Sequence, residues 1–483
     1  MLKGKFLVNI FSKIIIQGLS FLASIIIGRF AGAGILGNIS LATSFQNIFN
    51  TTLSVSLGNA HLKLFNENPS IGYKTFITLS IVLRTAIAVI IAGICGYLIF
   101  TESELYTELQ IYLIALFIIQ TFFGVLVQAN NYIFTGRLEQ VKANSPFILQ
   151  SVLVSSAKIL AVLIGYSEFG IAGFMIVAAI VSVILPIVQF AKLELGRFLR
   201  DAARKYVSVA SKLLSAAISH SLLLSYDKIV LGAVIVNEEI LGYYSAGDRI
   251  GTLLLGIGTS LGGIFLSQFT KDKKVTNSVQ IILKHHTFVF VVLIPCTYLI
   301  SLFSKEIITV LFGQEFETGY IVMIILMAHA VIKILNVPFQ NIFISQDYLR
   351  QFNRINIIYS ISIVSITTYF AIINPFENYL LSVSLAVFLS AIVERILMFS
   401  FLIHEGEKIF FSNKLRKLII LSISACYFFS CIYFINFSIT SKLLVFPIAT
   451  IVYTLIVYSL RVFDYKFILG FFRGLSLKKI MQS

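Results

Sequence analysis

Fourteen mostly apolar runs divide this chain from end to end. Each is about as long as the ~20 residues a helix needs to cross roughly 30 Å of hydrocarbon. They cover 7–28, 35–57, 75–100, 107–130, 147–165, 169–190, 212–234, 242–269, 286–303, 318–344, 355–373, 378–402, 418–436 and 442–460. Hydrocarbon offers backbone N–H and C=O groups no partner, so only helices and closed barrels cross it. A barrel strand needs only about 9–11 residues and alternates strictly, which these runs do not. The sequence therefore predicts an all-α polytopic membrane protein with 14 transmembrane helices. Composition agrees: 12% of residues are charged, against about 25% in a soluble domain. Lys13 interrupts the first run and no small-residue cleavage site follows it, so this run reads as a span and not a removed signal.

Lys and Arg in the loops set orientation. Alternate loops fall into two classes. One holds 26 basic residues, the other only Arg29, Lys305 and Lys442. Both termini are thus expected in the cytoplasm. The formal charge of +15 is mostly this topology signal plus attraction to anionic lipid. A nucleic-acid partner would need a soluble basic domain. The longest connectors, 191–211, 270–285 and 403–417, leave room for none, and read as interfacial segments. No Gly-rich phosphate loop, metal cluster or nucleophile triad is present, the six His are scattered, and the four Cys lie in apolar runs without disulfide or zinc spacing. No enzymatic chemistry and no cofactor are expected.

Ile35-Leu36-Gly37-Asn38-Ile39-Ser40 recurs as Ile240-Leu241-Gly242-Tyr243-Tyr244-Ser245, an offset of 205 at which Gly58 also meets Gly263. Six helices per copy make the repeats parallel. The expected division is an N-terminal lobe 1–205, a C-terminal lobe 206–403, and 404–483 with the last helix pair. Gly28, Gly32, Gly34 and Gly37 flank the first outer turn, and Gly256, Gly258, Gly262 and Gly263 lie in the eighth span. They serve close packing or hinge motion.

Apart from Glu108 and Lys442 at span edges, eleven Asp, Glu, Lys and Arg residues fall inside the spans: Lys13, Arg84, Lys158, Lys212, Asp227, Lys228, Asp248, Arg249, Lys333, Glu394 and Arg395. Such groups are costly in lipid and face a bundle interior or a wet cavity. Lys212, at a span start, reads as a snorkelling side chain. Lys13, Arg84 and Lys158 are the ionisable residues read inside the first half's spans, with no acid among them, and Arg84, Lys158 and Lys333 have no acidic neighbour in sequence. Either these four line a cationic cavity for an anionic substrate, or they pair across helices with Asp227, Asp248 or Glu394. Asp227-Lys228, Asp248-Arg249 and Glu394-Arg395 are adjacent opposite charges. Consecutive helix residues do not face each other, so interhelical pairs are expected, Asp227 with Arg249 or Asp248 with Lys228. The alternative for Asp227, Asp248, Arg249, Glu394 and Arg395 is a gating or ion-coupling role. Gln17, Asn47 and Asn50 are candidate sugar contacts or interhelical hydrogen-bonding groups.

The segments Asp227-Lys228-Ile229-Val230-Leu231-Gly232 and Leu241-Gly242-Tyr243-Tyr244-Ser245-Ala246 resemble helices 7 and 8 of bacterial polysaccharide-biosynthesis flippases of the Wzx type. Arg29 followed by Ile35-Leu36-Gly37, and Leu311-Phe312-Gly313-Gln314-Glu315-Phe316, resemble further segments of that family. The likeness covers most of the chain and extends to the multidrug/oligosaccharidyl-lipid/polysaccharide exporter superfamily. It implies a MATE-like fold of two pseudo-symmetric six-helix lobes plus a C-terminal helix pair, with a cationic cavity. It implies translocation of an undecaprenyl-diphosphate-linked oligosaccharide by alternating access, for O-antigen, capsule or exopolysaccharide, with possible proton or sodium coupling. A polysaccharide polymerase and chain-length machinery are the implied partners. A multidrug or cation exporter, a lipid II-type flippase, and a ligase or polymerase of lipid-linked sugars are the alternatives.

Overall fold

The computed structural model describes residues 2–67, 73–101, 105–235, 237–260, 282, 285–345, 348–404 and 414–459. They are helical nearly throughout and hold no strand. The elements are α1 (Leu2–Glu67), α2 (Tyr73–Phe100), α3 (Glu108–Gly136), α4 (Gln140–Leu163), α5 (Glu168–Ser182), α6 (Ile184–Phe190), α7 (Arg200–Val234) and α8 (Glu238–Ser260). A π turn (Val289–Leu293) then leads into α9 (Ile294–Leu302), followed by α10 (Ser304–Phe312), a 3₁₀ turn (Gln314–Gly319) and α11 (Tyr320–Ser345). The chain ends in α12 (Leu349–Ile373), α13 (Tyr379–His404), α14 (Lys414–Phe434) and α15 (Ile439–Ser459).

Among the described residues eleven helices are long and apolar enough to cross a membrane. The expected fourteen map onto them once α1 is counted as two spans and the partly described α8 and α14 are added. α5 and α6 together form the sixth span, and α10 is a short helix that hydropathy did not separate. The far end of the eighth span with Gly262 and Gly263, most of connector 270–285, the centre of 403–417 and the tail after Ser459 lie outside the described residues. The connector expected over 191–211 is shorter than that, because α7 begins at Arg200. Lys212 accordingly lies well inside α7, on its exposed side.

The chain packs as two compact units. One comprises Met1–Arg249, Thr309–Val322 and Asn356–Ser390; the other comprises Ile250–Ile308, Met323–Ile355 and Ala391–Ser483. This partition differs from the lobes 1–205 and 206–403 because α7 and the start of α8 pack on α1.

In the first unit α1 breaks at Gly32, whose φ of +87° suits glycine alone. Thr107 closes the start of α3 with a capping box: its hydroxyl accepts from the Gln110 N–H at 3.3 Å, and Gln110 Oε1 accepts from the Thr107 N–H at 3.1 Å. Lipid supplies little hydrophobic drive between helices, so close packing and polar contacts hold them together. The two copies of the repeat motif meet directly. A Cβ on Gly37 would lie 2.3 Å from the Glu238 carbonyl oxygen, and one on Gly242 would lie 2.0 Å from that of Ala33. The Ser219 hydroxyl donates to the Asn356 carbonyl at 2.7 Å, and Tyr226 meets Thr368 at 2.9 Å, joining α7 to α12. His61 is stacked on Phe76 with centroids 4.2 Å apart and bonds the Tyr206 hydroxyl at 2.8 Å. Outside the spans, Lys142 and Arg137 bond the Glu139 carboxylate and hold it below the usual carboxylate range.

In the second unit Tyr298, Tyr427 and Tyr453 stack at 4.3 Å spacings, tying α9 to α14 and α15. Tyr453 donates to the Phe290 carbonyl at 3.0 Å, which satisfies its buried polar tip. Lys442, expected in a loop, is instead fully buried at the start of α15 with Nζ 2.5 Å from Glu306. Outward faces are apolar: the spans of α2 and α15 are each only 11% buried, as lipid-facing helices require.

Gly242→Val would drive a branched side chain into the α1 backbone and should sharply reduce the yield and thermal midpoint of purified protein. Gly93→Ala, where an added Cβ meets nothing within 4 Å, should be neutral or raise stability by up to ~1 kcal/mol. Thermal unfolding in detergent checks both.

Candidate functional site

Three clusters hold most of the intramembrane charges. The first, within the first unit, joins α7 and α8. Lys228 Nζ lies 2.8 Å from Asp248 Oδ2 and 3.4 Å from Asp227 Oδ1. Tyr244 donates its hydroxyl to Asp227 Oδ2 at 2.8 Å, and the Lys228 N–H donates to Asp227 Oδ1 at 2.9 Å. One lysine thus bridges two carboxylates one helix apart. Of the two expected pairings, Asp248 with Lys228 forms and Asp227 with Arg249 does not. Arg249 makes no ion pair among the described residues. Lys158 on α4 is likewise without one, and it lies within electrostatic reach of Arg249. Two cations without an ion pair among the described residues therefore lie within electrostatic reach of each other, with the Asp248 carboxylate also acting on Arg249.

The second cluster lies within the second unit. Lys333 Nζ is 2.7 Å from Glu394 Oε2, and Glu394 is 1% exposed. Asn336 and Gln340 donate to the same carboxylate at 2.9 and 3.2 Å. Positions 333, 336 and 340 share one face of α11. Arg395 donates to Asn336 Oδ1 at 2.8 Å and lies over the rings of Phe339 and Phe399, 5.3 and 4.9 Å from their centroids. Lys333 is therefore neutralised by Glu394, the interhelical pairing that is the alternative to its reading as a cavity cation. Glu394 and Arg395 act together as its polar shell.

The third surrounds Arg84 on α2, in the first unit. The guanidinium donates to the Ser54 hydroxyl and to Gln128 Oε1, and at 3.4 Å to the Thr121 carbonyl. Gln128 in turn donates to Asn50 Oδ1 at 3.1 Å, so Asn50 is an interhelical hydrogen-bonding group. Two cavities of about 20 Å³ flank Arg84, each with room for roughly one water. Neither cavity has room for a diphosphate, so Arg84 does not line an open cavity in this conformation. Lys13 is exposed on α1 and joins none of the three clusters.

A fourth polar group was missed by counting spans. Asn38, 1% exposed, donates to Glu238 Oε2 at 2.7 Å and to Glu168 Oε1 at 3.3 Å, and accepts from Gln110 at 3.2 Å. The first half therefore does hold a buried carboxylate, Glu168, on the first turn of α5 just before the expected sixth span. The one signal for this group was Asn38 inside an otherwise apolar repeat motif. Among the described residues no cluster of three or more His, Cys, Asp or Glu side chains suits a metal ion.

The fold is similar to that of solved MATE transporters and of the lipid II flippase MurJ. MurJ in an inward closed conformation is similar over 94% of this chain and 98% of its own, at 14% identity and a TM-score of 0.69. An inward-facing multidrug resistance MATE family transporter of the MOP superfamily is similar over 80% of this chain and 95% of its own, at 15% identity and a TM-score of 0.62. A MOP superfamily transporter from Pyrococcus furiosus is similar over 82% of this chain and 94% of its own, at 14% identity and a TM-score of 0.56. No curated protein matches the sequence. The polysaccharide biosynthesis protein family matches residues 36–322, more than half of the chain, and the chain belongs to that family.

Removing Glu394 alone strands the buried ammonium of Lys333, a change that costs ~3–5 kcal/mol for a buried pair. Glu394→Leu should therefore lower the thermal midpoint markedly. The double variant Lys333→Met with Glu394→Leu should recover most of the loss, and a double-mutant cycle measures the coupling.

Proposed function

We propose that this protein is a flippase that carries polyprenyl-diphosphate-linked oligosaccharide repeat units across a bacterial cytoplasmic membrane by alternating access. The product would feed O-antigen, capsule or exopolysaccharide assembly through a polymerase and its chain-length machinery. Membership of the polysaccharide biosynthesis protein family supports the pathway. A fold shared with a lipid II flippase supports movement of a lipid-linked sugar. In this reading the protein binds and releases its substrate without making or breaking a covalent bond.

The observation that carries the reading is the pair of cations Lys158 and Arg249, neither of which makes an ion pair among the described residues. A diphosphate brings the negative charge this pair lacks. The Arg guanidinium offers two parallel N–H donors to phosphate oxygens, and the Lys ammonium offers a compact charge beside them. A cationic drug would meet repulsion at the same place, which disfavours a multidrug exporter. The bridge of Asp227, Lys228, Asp248 and Tyr244 adjoins Arg249 in sequence and is the proposed coupling element. A proton or sodium ion that competes with Lys228 for Asp248 would release a carboxylate next to the phosphate-binding arginine. Loops rich in Lys and Arg support an orientation with both termini in the cytoplasm, beside the anionic inner leaflet.

Lys158→Ala and Arg249→Ala should each reduce surface polysaccharide at unchanged protein level, and the double variant should abolish it. Lys158→Arg should retain much of the activity. Polymer extracted from cells lacking the native gene and carrying each variant is the measure. Full polymer from the double variant would exclude the diphosphate-docking role.

A further inference from the structure

Arg84 presents a problem that transport does not explain. It is 7% exposed on α2, and its guanidinium stays charged at any physiological pH. Its hydrogen-bond partners are all neutral: the Ser54 hydroxyl, the Gln128 side-chain carbonyl and the Thr121 backbone carbonyl. Among the described residues no carboxylate pairs with it. Three other buried cations among the described residues do have acidic partners. Lys228 has Asp227 and Asp248, Lys333 has Glu394, and Lys442 has Glu306. A buried charge is tolerated when it is both hydrogen-bonded and neutralised, and Arg84 has only the first.

The space beside it has a defined size and chemistry. One cavity of about 20 Å³ is lined by Arg84, Ser54, Ser80, Gln128 and Tyr132 together with apolar side chains. The Tyr132 ring packs against Gly58, where an added Cβ would lie 2.1 Å from its Cζ. Its hydroxyl makes no hydrogen bond to a described residue, and it lies within electrostatic reach of Arg84. The cavity therefore combines a fixed positive charge, an uncommitted hydroxyl donor and room for about one water-sized particle.

We propose that this cavity binds one small monovalent anion of chloride size, held by the Arg84 guanidinium and the Tyr132 hydroxyl. The anion is the counter-charge that neutralises Arg84 where α1, α2 and α3 pack together. Size excludes phosphate and the diphosphate of a lipid-linked sugar, so the site is separate from the cations Lys158 and Arg249. The inference stands whether or not the protein is a flippase.

The test uses the full chain in detergent. Thermal unfolding is followed in sodium chloride and in sodium gluconate at equal ionic strength. The expected result is a saturable rise in Tm with chloride, reproduced by bromide. Tyr132→Phe should require a several-fold higher chloride concentration for the same rise, and Arg84→Gln should remove the dependence. Crystals grown in bromide should show an anomalous peak in hydrogen-bond contact with Arg84. If Arg84→Gln does not fold, Tyr132→Phe and the bromide peak decide. A Tm identical in chloride and gluconate, an undiminished response in Tyr132→Phe, or bromide bound only away from Arg84 would overturn the proposal.

Discussion

A charge inside hydrocarbon has no water to solvate it, so the chain must supply its environment. That constraint orders the interior of this protein. Lys333 obtains Glu394, and Lys228 obtains Asp248 and Asp227. Each carboxylate receives further donors, from Asn336 and Gln340 in one case and Tyr244 in the other. These satisfied networks fix which faces of α7, α8, α11 and α13 turn inward. Lys158 and Arg249 depart from the pattern. Both are partly buried cations that make no ion pair among the described residues, and the buried Arg84 is a third, a local conflict that a stable scaffold carries at few places.

The second constraint is the weakness of hydrophobic association in lipid. Leu and Ile gain little by leaving lipid tails for one another, so helices that must touch do so through small residues and hydroxyls. Gly37 and Gly242 bring two helix backbones together. Ser219 and Tyr226 fasten α7 to α12 through hydrogen bonds. The stack of Tyr298, Tyr427 and Tyr453 does the same for α9, α14 and α15. Large apolar side chains such as Ile90, Phe100 and Leu444 remain on the outside, where a soluble protein would place lysine and glutamate.

The spans and the repeat were legible in the sequence because both are local signals. Twenty apolar residues mean a crossing wherever they occur, and the motifs at 35–40 and 240–245 can be compared by eye. Partners were less legible. Lys333 and Glu394 stand 61 positions apart, and only packing reveals that α11 faces α13. Arg84 looked available because no acid lies near it in sequence. Its partners Ser54 and Gln128 are neutral and sit on two other helices. Glu168 was overlooked because a carboxylate at a helix start reads as capping chemistry, whereas here it is buried against Asn38. The pairing of Asp248 with Lys228 was foreseen, since helices joined by a short turn bring equal depths together.

The interruption of the first unit by other chain has a consequence for biogenesis. Its helices α1 to α7 emerge from the ribosome first, yet the α12 surface that receives Ser219 and Tyr226 comes more than a hundred residues later. N-terminal segments ordinarily fold first during synthesis. Here the polar face of α7 must wait, shielded in the membrane or in the insertion machinery, while the helices between are made. The order of translation and the order of assembly are therefore different, and the last step of building the first unit belongs to a helix from the far half of the chain.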